Sequence, residues 1–151
     1  MRRTVLKSKI HRATVTSTAL HYEGSLTIDA DLLDAADILE NEQIHVWDVT
    51  NGTRLVTYAL RGERGTGVIQ VNGAGAHLIK TGDVVIIATF TTLRTRAAKR
   101  WTPTVVFVAD GNKPKRPEVV PVLPTANGLP AIPVRKDKKP KPADESVTDA
   151  S

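Results

Sequence analysis

The chain of 151 residues contains no cysteine, which excludes disulfide bonds, thiol catalysis and cysteine-ligated metal sites. Aromatic residues make up 4% of the sequence, too few for a platform on which nucleic-acid bases stack. No apolar run approaches the roughly 20 residues of a membrane-spanning helix, and none of signal-peptide length follows the basic N-terminus. We therefore expect a soluble, cytoplasmic protein with no membrane partner.

Proline is almost confined to the C-terminal end, where eight of the nine prolines follow Gly111. This end also carries +3 of the net charge of +5, so the rest of the chain is nearly balanced and we expect no nucleic-acid partner for it. A segment rich in proline and lysine buries too little apolar surface to offset the entropy of ordering. We predict a folded domain at residues 1–110 and a Pro/Lys-rich, largely disordered tail at 111–151.

Short strand patterns dominate the predicted domain. They lie at residues 4–20, 25–28, 43–49, 54–60, 68–71, 84–90 and 104–108. The Asn51-Gly52 pair predicts a tight hairpin between two of these strands. Apolar residues at helical spacing predict one short helix at 32–39. Many short strands with one short helix indicate a mainly β protein, specifically a compact β-barrel.

Acidic residues precede the predicted helix, where Asp29 and Asp31 lie at its N-terminal end. They lack the spacing of a calcium-binding loop, and carboxylates at this position favour the helix dipole. We expect no bound metal. A run of small residues at 72–77 allows backbone amides to approach a ligand closely, although a tight connection between barrel strands explains it equally well.

The bond between Gly24 and Ser25 is the candidate for chemistry. A serine hydroxyl can attack the carbonyl of a preceding glycine, because no Cβ hinders it and glycine tolerates strain. The acyl group then shifts from nitrogen to oxygen. Elimination and hydrolysis leave a new C-terminus at Gly24 and a pyruvoyl group at position 25. Gly-Ser is also common in ordinary turns.

Two other functions fit parts of this sequence. A serine hydrolase would pair Ser25 with His21 or His77, but the sequence around Ser25 lacks a nucleophile-elbow pattern. A small β-barrel binding module would hold nucleic acid with its basic tail and would never cleave itself.

Several short motifs, taken together, are more specific than any one of them. They are Lys9 with His11-Arg12, His21-Tyr22-Glu23-Gly24-Ser25, Asp34-Ala35-Ala36 with Ile38-Leu39-Glu40, Thr50-Asn51-Gly52 with Arg54, Thr57 and Tyr58, Glu63-Arg64-Gly65, Asn72-Gly73-Ala74 with Ala76-His77, and Gly82-Asp83. In order and spacing they resemble the aspartate 1-decarboxylases, pyruvoyl-dependent enzymes that make β-alanine. The resemblance covers residues 1–110 and does not extend into the tail.

The resemblance implies a double-psi β-barrel with short helices, assembled as a homotetramer with active sites between neighbouring subunits. It implies self-cleavage at Gly24–Ser25 and conversion of Ser25 into a covalently bound pyruvoyl cofactor, with no metal. The implied reaction decarboxylates L-aspartate to β-alanine and carbon dioxide for pantothenate and coenzyme A synthesis. A Schiff base between the ketone and the substrate amine serves as the electron sink. The resemblance leaves open whether a maturation factor assists the cleavage.

The resemblance also assigns roles to individual residues. Ser25 and Tyr58 are expected to be catalytic, with Tyr58 protonating the α-carbon after decarboxylation. The residues expected to bind substrate are Arg54, Thr57, Gly73, Ala74, Gly75 and Lys9, of which Arg54 offers a planar fork for a carboxylate. Processing is expected to involve Gly24, Ser25 and Thr57. The supporting residues are His11, Tyr22 and Asn72.

Three details qualify these roles. Thr57 and Tyr58 are adjacent, so a regular strand would point them to opposite faces, and either a bulge intervenes or the site lies between subunits. The family usually has alanine at the position of Gly75, which bears on the stiffness of that loop. His45 and Trp47 are expected to pack or to lie in an interface rather than to act in catalysis.

Overall fold

A computed structural model describes residues 1–115, together with the backbone of residues 123–124 and 130–131. Most of the tail predicted at 111–151 lies outside the described residues, and so does its predicted disorder. The chain divides into two units, Met1–Val120 and Pro121–Ser151. In the second unit, Leu123–Pro124 pairs antiparallel with Pro130–Ala131. The fold and site described below belong to the first unit.

The first unit contains nine strands and two short α-helices among its described residues. The strands are β1 (Arg2–Thr14), β2 (Ser17–Ala19), β3 (Ser25–Asp29), β4 (Gln43–Asp48), β5 (Arg54–Gly62), β6 (Ile69–Asn72), β7 (Val84–Arg94), β8 (Thr104–Ala109) and β9 (Lys113–Pro114). The helices are α1 (Ala30–Ala36) and α2 (Thr95–Ala98), and 3₁₀ turns occur at Gly73–His77 and Asp110–Asn112. None of the described helices is long and apolar enough to cross a membrane.

The strands form a closed barrel. Their order is β2-β6-β3-β5-β4-β7-β1-β8-β9, and only Val15 and Thr16 separate β1 from β2. The first segment of the chain, β1 with β2, therefore pairs at both ends of the five-stranded run β6-β3-β5-β4-β7 and closes it. β2 pairs with β6 and β3 pairs with β5 in parallel, which requires crossing connections. The predicted fold class, a mainly β double-psi barrel with short helices, is confirmed.

The core fills the barrel and the space beneath α1. Inward-facing residues such as Ile10, Val46 and Ile87 are fully buried, and Leu32 and Leu33 of α1 pack against the same core. Inward-facing and outward-facing residues alternate along each strand of a closed barrel, so one side of every strand contributes to this core.

Asp29 connects α1 to the loop that follows β5. Its carboxylate accepts hydrogen bonds from the amides of Asp31 at 2.8 Å, Gly65 at 3.0 Å and Gly67 at 2.6 Å. Burial by itself would raise the pKa of Asp29, but these amides, with Lys113 nearby, leave it below its usual value. The aspartate is therefore a structural cap, as its position before the helix predicted.

Element boundaries differ from the prediction where local hydrogen bonds compete with the apolar pattern. The helix predicted at 32–39 runs from Ala30 to Ala36, because Asp37 takes a left-handed conformation and ends it. The hairpin between β4 and β5 forms as predicted but has a longer loop, residues 49–53, in which Asp48 accepts from the amides of Thr50 and Asn51. The strand predicted at 4–20 is divided between β1 and β2.

Candidate active site

A cavity of about 250 Å³ opens at the end of the barrel where β3 begins and β6 ends. Six residues that were singled out from the sequence line it, and they are Gly24, Ser25, Thr57, Asn72, Ala74 and Gly75. Apolar side chains, including Leu55 and Ile79, form much of the remaining wall. Three separate segments of the chain thus meet at one pocket of mixed polarity, as a small-molecule site requires.

Ser25 combines two unusual features. Its φ is 130°, a region that residues with a Cβ rarely adopt and that costs about 1–3 kcal/mol. Its side chain is 4% exposed, and its Oγ has no hydrogen-bond partner among the described residues. A strained residue with a buried, unpaired hydroxyl is typical of a functional position rather than of an ordinary turn.

The backbone ahead of Ser25 is packed tightly by Gly73. Gly73 has a φ of 62°, and a Cβ at this position would lie 2.9 Å from Gly24 Cα and 3.3 Å from the Tyr22 carbonyl oxygen. Thr57 lines the same cavity as Gly24 and Ser25. Gly73 and Thr57 are therefore both near the bond that the sequence predicts to break.

Arg54 and Tyr58, in contrast, do not line this cavity. The register between β4 and β5 runs without a shift, from Gln43 opposite Tyr58 to Trp47 opposite Arg54. The bulge considered from the sequence is therefore absent. Thr57 lies opposite Ile44, a core residue, so Arg54 and Tyr58 lie on the outer face of the barrel.

Lys9 and His11 lie on the same outer face. Val56 lies on the outer face of β5, and its cross-strand partner on β4 is His45. His45 pairs in turn with Ala88 of β7, and Ala88 pairs with Lys9 of β1, so Lys9 faces outward as well. Predicted site residues are thus divided into two groups. One group lines the cavity, and the other (Lys9, His11, Arg54 and Tyr58, here called the outer group) lies on the outside of the sheet.

The outer group is electropositive. Burial lowers the pKa of Lys9, and burial followed by the charges of Lys9 and Arg12 lowers the pKa of His11. Among residues 1–115, the carboxylate ion pairs involve Lys7, Arg61 and Arg64, and none involves Lys9, Arg12 or Arg54. Cations without carboxylate partners favour an anionic ligand on this face.

Comparisons with known proteins agree on one family. A family model described as aspartate decarboxylase matches residues 1–115. A curated protein from Myxococcus xanthus (strain DK1622), named aspartate 1-decarboxylase, is 62% identical over 113 residues, which cover 75% of this chain and 87% of that protein. The chain belongs to the aspartate decarboxylase family. The family predicted from the sequence, and with it the prediction of an enzyme, is confirmed.

Among solved structures, the crystal structure of the computationally designed protein msDPBB_sym2 is similar to this chain. The TM-score is 0.38 at 14% identity, over 56% of this chain and 96% of the designed protein. This score is too low to bear on the fold, which follows from the strand pairing described above.

Trp47 contacts one of the predicted site residues, which was not predicted from the sequence. The Arg54 guanidinium lies over its ring, 5.1 Å from the centroid, which fixes the direction of the arginine. The hairpin register puts residues 47 and 54 opposite each other, and this register was the signal that could have revealed the contact. His45 packs edge-on against Phe90 at 4.9 Å, as expected for a packing residue.

The serine-hydrolase alternative finds no support in the geometry. Ser25 Oγ is unpaired among the described residues, so neither His21 nor His77 acts as its base there. Both histidines are exposed, as is Tyr22. Within residues 1–115, no group of three or more metal-ligating side chains is assembled.

A pair of alanine substitutions tests the packing around the cavity. In a Ser25→Ala background, which keeps the chain in one piece, Gly73→Ala is expected to lower the free energy of unfolding by about 2 kcal/mol or more. The reasons are its positive φ and the contact with the Gly24 backbone. Gly75→Ala is expected to change it by less than about 1 kcal/mol, because its Cβ would meet only movable methyl groups, of Val71 at 3.0 Å and of Leu55 at 3.5 Å. Urea denaturation measures both, and equal losses would contradict the close approach at Gly73.

Proposed function

We propose that this protein cleaves its own chain between Gly24 and Ser25 and then decarboxylates L-aspartate to β-alanine and carbon dioxide. Membership of the aspartate decarboxylase family supports the substrate and the reaction. The single observation that carries the self-cleavage is Ser25 itself, which is strained at φ 130° and buried at the end of the cavity, with a hydroxyl that has no hydrogen-bond partner among the described residues.

Self-cleavage begins with attack of Ser25 Oγ on the carbonyl carbon of Gly24. The hydroxyl proton passes to the departing amide nitrogen, so the peptide bond becomes an ester with a free amine on residue 25. Loss of the Cα proton then expels Gly24 as a carboxylate and leaves dehydroalanine. One water molecule is consumed and ammonia is released as a pyruvoyl group forms. Relief of the backbone strain at Ser25 favours the first step.

Thr57 and Asn72 are positioned to assist this cleavage. Thr57 lines the cavity together with Gly24, and its hydroxyl would donate to the oxyanion that forms on the carbonyl under attack. Asn72 is the cross-strand partner of Ser25 and also lines the cavity. Gly73 leaves room for the Gly24 backbone, because a Cβ at position 73 would lie 2.9 Å from Gly24 Cα. These residues would help to keep the reacting bond in place.

The residues around Ser25 also fit the pyruvoyl cofactor. Asn72 and the amides of Gly73, Ala74 and Gly75 would hold it at the cavity wall. The cofactor supplies an electrophilic carbonyl that withdraws electrons as carbon dioxide leaves. Apolar neighbours such as Leu55 and Val71 limit the access of water to this end of the cavity.

Substrate binding draws on the outer group of a neighbouring subunit in a homotetramer. Arg54 would clamp a carboxylate of aspartate, and Tyr58 would protonate the α-carbon after carbon dioxide leaves. Lys9 would add positive charge for a dicarboxylate, with His11 and Tyr22 beside the site. The separation of the two groups within one chain supports this arrangement, since neither group is sufficient alone.

The expected setting is the cytoplasm, where the product β-alanine would serve pantothenate and coenzyme A synthesis. We assign no function to the tail at 111–151. The cleavage is internal to one domain, so a maturation factor would accelerate it rather than supply its chemistry.

Intact-mass spectrometry of the purified, denatured protein tests the proposal. Cleavage predicts two fragments, residues 1–24 with an ordinary C-terminus and residues 25–151 with a ketone in place of the first amine. The same sample should release β-alanine and carbon dioxide from L-aspartate. A mass that stays whole after prolonged warming, and after addition of cell extract as a source of a maturation factor, would overturn the proposal.

A further inference from the structure

A row of side-chain hydrogen bonds crosses three strands beside Ser25. The registers of β2, β6 and β3 place Ser17, Gln70 and Thr27 side by side, with Asn72 and Ser25 paired in the next row. Ser17 Oγ donates to Gln70 Oε1 at 3.0 Å, and Gln70 Nε2 donates to Asn72 Oδ1 at 2.7 Å. Asn72 Nδ2 then donates to Thr27 Oγ1 at 3.0 Å.

The two amides in this row set each other's direction. An amide nitrogen only donates and an amide oxygen only accepts, so the contact between Gln70 and Asn72 allows only matched orientations. The hydroxyls of Ser17 and Thr27 can donate or accept, and they accommodate whichever direction the amides take. The polarity of the row therefore follows the paired amides of Gln70 and Asn72, and in this structure Gln70 presents its Nε2 to Asn72.

This polarity decides which side of Asn72 faces the cleavage site. Thr27 and Ser25 are two residues apart on β3, so their side chains share one face of the strand. Because Nδ2 of Asn72 points to Thr27, the N–H side of its carboxamide faces the strand that carries Ser25. Nδ2 has a second hydrogen, and Asn72 is only 2% exposed, so water competes poorly for it.

We propose that Gln70 is a positioning residue that, with Thr27, holds the Asn72 carboxamide with its N–H side toward Ser25 during self-cleavage. An N–H donor on this side stabilises the negative charge that develops on the reacting oxygen atoms as the ester forms, whereas the carboxamide oxygen would repel that charge. The inference rests on the proposed function, because it requires Ser25 to be the cleavage site. It adds Gln70 and Thr27, which neither the sequence motifs nor the lining of the cavity indicated.

Gln70→Glu is the direct test, since it has the same shape and reverses the polarity. The ionised carboxylate only accepts, so Asn72 must turn its Nδ2 toward residue 70 and its oxygen toward Thr27, which can donate. Every hydrogen bond in the row is still satisfied, and the thermal midpoint should change little. The first-order rate of self-cleavage, followed by intact mass from freshly made precursor, should fall about tenfold or more.

Thr27 supplies a second test that introduces no charge. Thr27→Val keeps the shape but removes the acceptor, so cleavage should slow, whereas Thr27→Ser keeps the hydroxyl and should cleave at the wild-type rate. A merely structural role would instead make the cleavage rate follow the thermal midpoint in all three variants.

The outcomes separate the two proposals. A wild-type chain that never cleaves overturns the proposed function and this inference with it. A wild type that cleaves, with a folded Gln70→Glu chain cleaving equally fast, overturns only the role of Gln70. If Gln70→Glu does not fold, equal rates for Thr27→Val and Thr27→Ser overturn the inference, and a slow valine variant with a normal serine variant supports it.

Discussion

Ser25→Ala is expected to yield a single uncleaved chain with no decarboxylase activity. Alanine has no hydroxyl to attack the Gly24 carbonyl and no side-chain oxygen to eliminate, so no pyruvoyl group can form at position 25. Intact mass and β-alanine release measure the two losses separately. Cleavage of the alanine variant at the same bond would show that a different nucleophile acts, and the role of Ser25 would then be wrong.

Ser25→Gly is the matched control, because it is equally inert chemically but differs in strain. Glycine adopts a φ of 130° without the steric cost that a Cβ imposes, although it loses more entropy on folding. The glycine chain should therefore be more stable than the alanine chain by about 1 kcal/mol in urea denaturation. If the alanine chain is as stable or more stable, strain at this position does not contribute to cleavage.

The approximate positions of the strands along the chain could be predicted from the sequence, because alternation and turn residues are local signals. The boundaries could not, since they depend on contacts that form only in the fold. Leu39 fits the apolar spacing of α1 but is 70% exposed, because the left-handed Asp37 ends the helix before it. The hairpin loop is longer than Asn51-Gly52 suggests, because the buried Asp48 holds two of its amides.

The candidate site was predicted in its parts but not in its arrangement. The alternation of a strand predicted that Thr57 and Tyr58 face opposite sides, unless a bulge brought them together. The unbroken register between β4 and β5 shows that there is no bulge at this point. Gln70 lies two residues before Asn72 on β6, but Thr27 is 45 residues away along the chain and becomes a neighbour of Asn72 only through the pairing of β3 with β6. No motif in one sequence marks such a contact. The strain at Ser25 is likewise a property of the assembled backbone.

Activity should be recovered when two inactive variants are assembled together, Ser25→Ala and Tyr58→Phe. The first lacks the cleavage nucleophile, and the second should lose a factor of about 10²–10⁴ in decarboxylation because the proton donor is gone. If Ser25 and Tyr58 of one site come from different subunits, random co-assembly leaves about a quarter of the sites intact. Co-expression with two affinity tags isolates the mixed assemblies for assay.

Thr57→Val makes the matched control, because Thr57 neighbours Tyr58 in sequence but lies on the cavity side of β5 with Ser25. Ser25 and Thr57 line one cavity of the same chain, so if they act together there, a chain with Ser25→Ala and a chain with Thr57→Val cannot provide a complete set between them. Mixed assemblies of these two should stay inactive. Recovery in the first mixture but not the second would require that the two faces of β5 serve different active sites. Inactivity in both, with mixed assemblies verified by native mass spectrometry, would place Tyr58 in the same site as the Ser25 of its own chain, which the strand register opposes.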